Sequence, residues 1–558
     1  MWRAHVIFTL IILAFVLIVA RLFYWQVIAS DALRQQASDQ YYLQLTLPAT
    51  RGQILASDGA PLAMNVPSFL AYAQPKQVIS KDVFASEVAP ILKTDQLKLL
   101  SDISANGRVW VPLAKHVDTD TKNTLQGLHL DGLGFEPTSN RYYPEASMAA
   151  HLLGFVGSDQ FGNDKGYFGL EGYYDRGLRG QDGYEETEKD VQGAPIPVGE
   201  VKRIEPQNGG DLTLWIDRTI QKIVEDRLAQ GIAKYGAKQG TVTVMDPKTG
   251  GILAMAAYPG FDPRSYADYD RNLYANPIVT SSYEPGSTFK VLVMSGAIKE
   301  NKVKADTKMD ESGPAHVDGY DIRTWNNQYH GPITMAQILE YSSNVGMVWV
   351  QQQMGRDNLL KYIHAYGFGE PTGIDVQGES SPELRSDNEW ADIDLATSSF
   401  GQGIAVTPIQ MVRAVGALAN GGALMEPHIV REITDANGKK VEIPPKKIRQ
   451  VVDNNTASIL TEMMIQAVDL GEAKWAKPAG YRIAGKTGTA QVPVAGHYDP
   501  TKTIASFVGF APADDPKFVM LVTLTEPSSS IWGSETAAPL FFNIAKDMFN
   551  YYGIPPSP

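Results

Sequence analysis

The sequence predicts an α/β multidomain protein: an N-terminal transmembrane helix, a strand-rich middle module, and a C-terminal domain built on one five-stranded antiparallel sheet with helices. Three observations predict it. An apolar run, VIFTLIILAFVLIVA, fills Val6 to Ala20. Short alternating segments broken by Gly, Pro and Asp occupy Ser30 to Pro206. Beyond them, two strand-like runs are separated from three more by over two hundred residues of mainly helical pattern.

The apolar run continues past Arg21 as LFYWQVI, so Val6 to Ile28 is long enough to cross a bilayer if Arg21 snorkels toward the interface, where Tyr24 and Trp25 also fit. The competing reading is a cleaved signal peptide processed near Val27-Ile28-Ala29, but the apolar stretch exceeds a usual signal core. Flanking charge does not orient the span, because Arg3 on one side faces Arg21 and Arg34 on the other. A short inner tail and a large outer portion is the simpler topology. The middle module carries no nucleophile-and-base grouping, and the character changes at NGGDLTLWID, which sets a boundary near residue 207.

In the C-terminal part, Thr241–Asp246 and Ile252–Tyr258 joined by PKTGG read as a β-hairpin. Lys486–Val492, Ile504–Ala511 and Lys517–Thr525 read as three further strands, and 539–552 as a closing amphipathic helix. Two early and three late strands with helices between them suggest one antiparallel sheet closed by distant parts of the chain. With 558 residues, 44% of them hydrophobic, the chain can fill two or three cores. A net charge of -13 argues against a nucleic-acid groove. The absence of cysteine excludes disulfides and thiolate catalysis, and the nine histidines include no HExxH or close His-x-His grouping, so no dedicated metal site is expected.

Three motifs carry chemistry. In YEPGSTFKVLVMSGAIKE, Ser287 and Lys290 lie three apart and share a helix face. Among Phe289, Leu292, Val293 and Ala297 a charged lysine is costly to bury; desolvation favours the neutral amine, which can take a serine proton. A capping serine with a snorkelling lysine would look the same. In ITMAQILEYSSNVGM, Thr334 and Gln337 suggest a capping box, and Met335, Ile338, Leu339 and Ser342 form one face. Ser342 with Asn344 could serve a site, although alone the pair reads at least as well as helix caps. In GYRIAGKTGTAQV, Lys486 brings charge, Thr487 and Thr489 bring hydroxyls, and Gly488 admits a second backbone, as a strand pairing with an extended peptide needs.

That last stretch also fits the phosphate-loop spacing GxxxxGK[ST], from Gly480 to Thr487. A phosphate loop follows a buried strand and opens a helix, whereas AKWAKPAG precedes this one and TAQVPV follows. Two decoys repeat motif letters: Lys248-Thr249-Gly250 in the hairpin turn, and Ser386-Asp387-Asn388 in a loop-like stretch. Ser287, Ser342 and Lys486, by contrast, occur in order on the elements their chemistry needs.

With these motifs the chain resembles a class B penicillin-binding protein, a peptidoglycan D,D-transpeptidase. RGQILASDGAPLA, NRYYPEASMAAHLLGFVG, GLEGYYDRGLRGQDG and FGQGIAVTPIQM extend the resemblance over nearly the whole chain, although Ala-Ser-Asp-Gly replaces the family's usual Asp-Arg-Asn-Gly. Ser-Ser-Asn and Lys-Thr-Gly-Thr are similar to the FtsI-like, division-specific branch. The resemblance implies a cytoplasmic tail and transmembrane helix over 1–28, a non-catalytic pedestal over 29–206, and a transpeptidase domain of serine β-lactamase type over 207–555. It implies Ser287 as nucleophile, Lys290 as base, Ser342 as proton relay and Lys486 as a charge tuning them. Asn344, Thr487, Gly488 and Thr489 would hold the donor peptide, with backbone N–H groups of Ser287 and Thr489 as oxyanion hole. The implied partners are D-Ala-D-Ala stem peptides, an amine acceptor, β-lactams, the membrane, and a SEDS-family glycan polymerase (FtsW-like) with divisome proteins; no nucleic acid, metal or organic cofactor is implied. The implied location is the bacterial cytoplasmic membrane, with the catalytic domain on the extracytoplasmic side. A D,D-carboxypeptidase or β-lactamase of the same fold, or a non-catalytic wall-binding or sensor module, are the alternatives.

Overall fold

The computed structural model describes residues 1–31, 33, 42–188, 201–494 and 497–556. Arg34, counted above among the flanking charges, lies outside them. By their internal contacts these residues form two units, Met1–Arg51 with Arg179–Gly209, and Gly52–Leu178 with Gly210–Pro558.

The first unit begins with helix α1, Trp2–Phe23, prolonged by one wider turn to Ile28. Its apolar side chains are exposed all round, as expected of a span that meets lipid instead of a protein core. The Arg21 guanidinium lies 5.0 Å from the centre of the Trp25 ring. Three antiparallel strands, Tyr42–Leu47, Gly183–Glu188 and Val201–Ile204, complete this unit.

In the second unit, strand Pro61–Ala73 pairs antiparallel with Leu133–Tyr142 and Val111–Val117. The strand-rich expectation is incomplete here, because three helices, Lys81–Leu92, Gln96–Ser104 and Thr119–Gln126, pack against those strands around Phe84, Val88, Leu99 and Ile103. Strand Asp211–Leu214 lies parallel to Ile54–Leu55 and antiparallel to Val430–Thr434, so one sheet joins segments on both sides of residue 207. The Arg141 Nε donates to Glu171 Oε1 at 2.6 Å in a buried ion pair.

The C-terminal portion is organised by five strands: β1 Gln239–Met245, β2 Ile252–Tyr258, β3 Ala484–Val494, β4 His497–Ala511 and β5 Phe518–Thr525. They are antiparallel in the order β2-β1-β5-β4-β3, which leaves β3 at an edge. Alternation assigns the two faces. Val242, Val244, Phe507, Met520 and Val522 meet α2, Arg218–Tyr235, and the closing helix α8, Ala537–Tyr552. Met245, Val508, Phe510, Val519 and Leu521 face the larger helical core. That core contains α3 Lys290–Lys299, α4 Met335–Glu340, α5 Asn344–Met354, α6 Pro408–Ala419 and α7 Asn454–Leu470. Lys486 is paired with Val508, so its side chain shares the face that meets α3.

Candidate active site

Ser287 sits in a tight 3₁₀ turn, Gly286–Phe289, leading directly into α3. The turn is pinned on both sides. Gly286, at φ +55°, donates its N–H to Gly401 O at 3.0 Å, and Thr288 Oγ1 donates to Pro285 O at 2.7 Å. A side chain at Gly286 would come within 3.1 Å of Thr489 O, so glycine lets the turn lie against β3. Helix α3 is apolar on every side and buried from Lys290 through Ile298, which is why Lys290 has no access to water.

Ser342 is reached differently from the expected helical stripe. Helix α4 stops at Glu340, and Ser342 takes a left-handed backbone, φ +55°, in the turn before α5. The cap of α5 is Ser343, whose Oγ accepts from Gly346 N at 2.8 Å and donates to the buried Glu311 carboxylate. Glu311 Oε2 is also bonded to His330 Nδ1 at 2.8 Å. With the capping taken by Ser343, Ser342 and Asn344 are free to serve the cleft. The uncommon conformation at Ser342 is thus held by its neighbours.

Ser342 lies between two lysines. Lys290 Nζ donates to Ser342 O at 2.6 Å and Asn344 Oδ1 at 2.8 Å, and lies 3.4 Å from Ser342 Oγ. Lys486 Nζ donates to Ser342 Oγ at 3.0 Å, Thr487 Oγ1 at 3.1 Å and Thr487 O at 3.2 Å. Each amine thus has three acceptors within reach, and it is electrostatics that separates the two lysines. Burial, and then the nearby Lys486 charge, hold Lys290 well below the ordinary lysine value. Burial lowers Lys486 only to about 8, so it keeps its proton at neutral pH.

Ser287, Ser342, Asn344, Thr487, Gly488 and Thr489 all line one open cleft. Thr489 Oγ1 accepts from Gly533 N at 2.9 Å, tying β3 to the loop after β5. The room at Gly488 is used by the protein itself: a Cβ there would lie 2.4 Å from Ser506 Oγ and 2.8 Å from Thr288 Cγ2. The decoys are elsewhere. Lys248 is exposed and paired with Asp515, and Ser386 caps an exposed turn with Glu389. Motif reasoning missed three cleft residues, Trp325, Glu472 and Trp532. The two indoles meet edge to face at 5.0 Å, although their loops are far apart in sequence. Ser343 and Glu311 were missed as supports, and the doubled serine of SSN is the one local hint of the former. Among the described residues no group of three His, Asp or Glu side chains is placed to hold a metal ion.

Two buried lysines sharing the hydroxyl of Ser342, beside a cleft that Ser287 also lines, are groups that can run acyl transfer through a serine ester. Comparison with known proteins agrees with that chemistry. The penicillin-binding protein transpeptidase domain family matches residues 240–546, and the penicillin-binding protein dimerisation domain matches 46–214. Stage V sporulation protein D of Bacillus subtilis is 35% identical over 99% of this chain and 86% of its own length. Peptidoglycan D,D-transpeptidase FtsI of Escherichia coli K12 is 30% identical over 100% of this chain and 92% of its own. A peptidoglycan synthetase structure from Bifidobacterium adolescentis superposes with a TM-score of 0.76 at 29% identity, covering 93% of this chain and 98% of that one. Penicillin-binding protein 3 of Mycobacterium tuberculosis in complex with aztreonam gives 0.71 at 26% identity, covering 92% and 98%. The chain belongs to the penicillin-binding protein transpeptidase family.

Proposed function

We propose that this chain is a serine D,D-transpeptidase that crosslinks peptidoglycan stem peptides through an ester on Ser287, and that β-lactams acylate the same hydroxyl. The observation that carries the assignment of roles is that two buried lysines, Lys290 and Lys486, both reach the Ser342 hydroxyl, which lines the same cleft as Ser287. Lys290, held toward the neutral form by burial, offers its lone pair to the Ser287 proton as Oγ attacks the carbonyl of the penultimate D-Ala. Backbone N–H groups of Ser287 and Thr489 take the oxyanion. As the C–N bond breaks, the Ser342 hydroxyl gives its proton to the departing amine and regains one from the Lys290 ammonium. Asn344 holds the donor peptide, and Thr487 and Thr489 its terminal carboxylate, beside the Lys486 charge. In the second half, the amine of a neighbouring stem attacks the ester, its proton returns by the same relay, and Ser287 is regenerated.

The domain division follows the same reading: tail and span over 1–28, pedestal over 29–206, transpeptidase over 207–555. The apolar helix is compatible with a single-pass anchor in the bacterial cytoplasmic membrane; we place the catalytic domain outside, where its substrate lies. A septal role beside an FtsW-like glycan polymerase and divisome proteins rests on the likeness to FtsI. The likeness to a stage V sporulation protein favours a second setting, the same reaction during sporulation. Depletion in the host separates the two: blocked division supports the first, and normal division with defective spores the second. For the chemistry, purified protein is given a D-Ala-D-Ala pentapeptide and an amine acceptor. A crosslinked product that vanishes with Ser287→Ala is expected; a trimmed peptide alone would favour the carboxypeptidase reading, and no reaction the sensor reading.

A further inference from the structure

The connection from α7 to β3 places a carboxylate, Glu472, in the wall of the cleft that holds Ser287, Ser342 and Thr487. Its position is one that local folding does not reward. Glu472 follows the C-terminal end of α7 by two residues, where the exposed carbonyls favour a cation. It is half-buried, and among the described residues no hydrogen bond reaches its carboxylate. Four charged groups bear on the lysine–glutamate set. Burial pushes the Glu472 carboxyl up from its ordinary value; Lys486 from β3 and Lys290 from α3 favour the ionised carboxylate, and Glu535, from the loop before α8, opposes it. Glu472, and then Glu311 beneath Ser343, favour the charged form of Lys290, against its burial and the Lys486 charge. Glu472 is the carboxylate whose charge acts on Lys486.

We propose that Glu472 is a positioning residue for acylation: its carboxylate, set in the cleft wall without a hydrogen bond from the protein, is the counter-charge that keeps Lys486 an ammonium and thereby keeps the Ser342 hydroxyl proton pointed away from it. The proposal rests on the roles given above to Ser287, Ser342 and Lys486. Its geometric core is the 3.0 Å bond from Lys486 Nζ to Ser342 Oγ. An ammonium has no lone pair, so Ser342 can only accept along that bond, and its own O–H must turn toward Lys290, 3.4 Å away, or toward the leaving amine. A neutral Lys486 could accept instead, and the Ser342 proton would then turn away from the reaction. Burial works against the Lys486 charge, and Glu472 offsets part of it.

The test uses the full-length protein in detergent and the rate of acylation by a fluorescent penicillin from pH 6 to 10. In Glu472→Gln, the alkaline limb should move down by about one pH unit, the effect of losing one nearby opposite charge. Glu472→Asp should restore most of the shift. Glu535→Gln, which removes a carboxylate acting on Glu472 and not on Lys486, should leave the limb in place. A limb unmoved in a Glu472→Gln protein with wild-type melting temperature overturns the proposal, as does an equal shift in Glu535→Gln. Should Glu472→Gln melt early, a Glu472→Asp limb that still matches wild type supports the charge role, and one displaced as far as the Gln variant's overturns it. A wild-type protein that penicillin does not label at Ser287 would instead remove the underlying reading.

Discussion

Replacing Ser343 by alanine tests how the turn carrying Ser342 is held. The substitution removes the cap of α5, in which Ser343 Oγ accepts from Gly346 N at 2.8 Å, a loss of about 1 kcal/mol. It also removes a donor from Glu311, whose side chain has no exposure, and leaving a buried carboxylate short of one bond costs about 1.5–3 kcal/mol. His330 still bonds Glu311, so the total should come to about 3 kcal/mol, not the full cost of a bare buried charge. Urea unfolding of the detergent-solubilised protein reads the loss. Penicillin labelling should also slow, because the left-handed turn at Ser342 loses its anchor. Ser386→Ala is the matched control, since that serine caps a short exposed turn, and it should lose under about 0.5 kcal/mol. A Ser343→Ala loss below about 1 kcal/mol, or equal losses in the two variants, would refute the account of the turn.

Other expectations follow from the same geometry. Acylation needs Lys290 neutral and Lys486 charged. The rate should therefore rise with pH through the depressed Lys290 value and fall as Lys486 loses its proton at about 8; a rate still climbing at pH 10 contradicts this. Gly488→Ala should cost about 1–3 kcal/mol and slow penicillin labelling at least tenfold, because the new methyl meets Ser506 and Thr288; wild-type labelling would show that β3 can shift freely. Glu171→Ala strands the buried Arg141 guanidinium and should destabilise its unit by about 3–5 kcal/mol in urea, with a loss below about 1 kcal/mol contradicting the buried pair.

The five strands were legible because each is a local run bounded by turn residues, and the order Ser287, Ser342, Lys486 set apart three residues that the fold brings to one place. The edges were less so: β3 and β4 extend beyond Lys486–Val492 and Ile504–Ala511, since pairing between strands continues past the apolar runs that signal them. The turn at Ser342 was misread as helix for a physical reason. The stripe Met335, Ile338, Leu339 continues to 342 by spacing alone, and nothing local says which of two adjacent serines will cap the next helix. Trp325, Glu472 and Trp532 come from three separate loops, and only the closed sheet brings them to one cleft. The middle module's helices are short, and alternating strands around them masked their period.

The central claim is that Ser287 is the acylated nucleophile. Mass spectrometry of the protein after reaction with penicillin, followed by proteolysis, tests it directly. A single modified peptide carrying the adduct on Ser287, absent from Ser287→Ala, is the expected result. An adduct on Ser342 or Ser386, or undiminished labelling of Ser287→Ala, would contradict it.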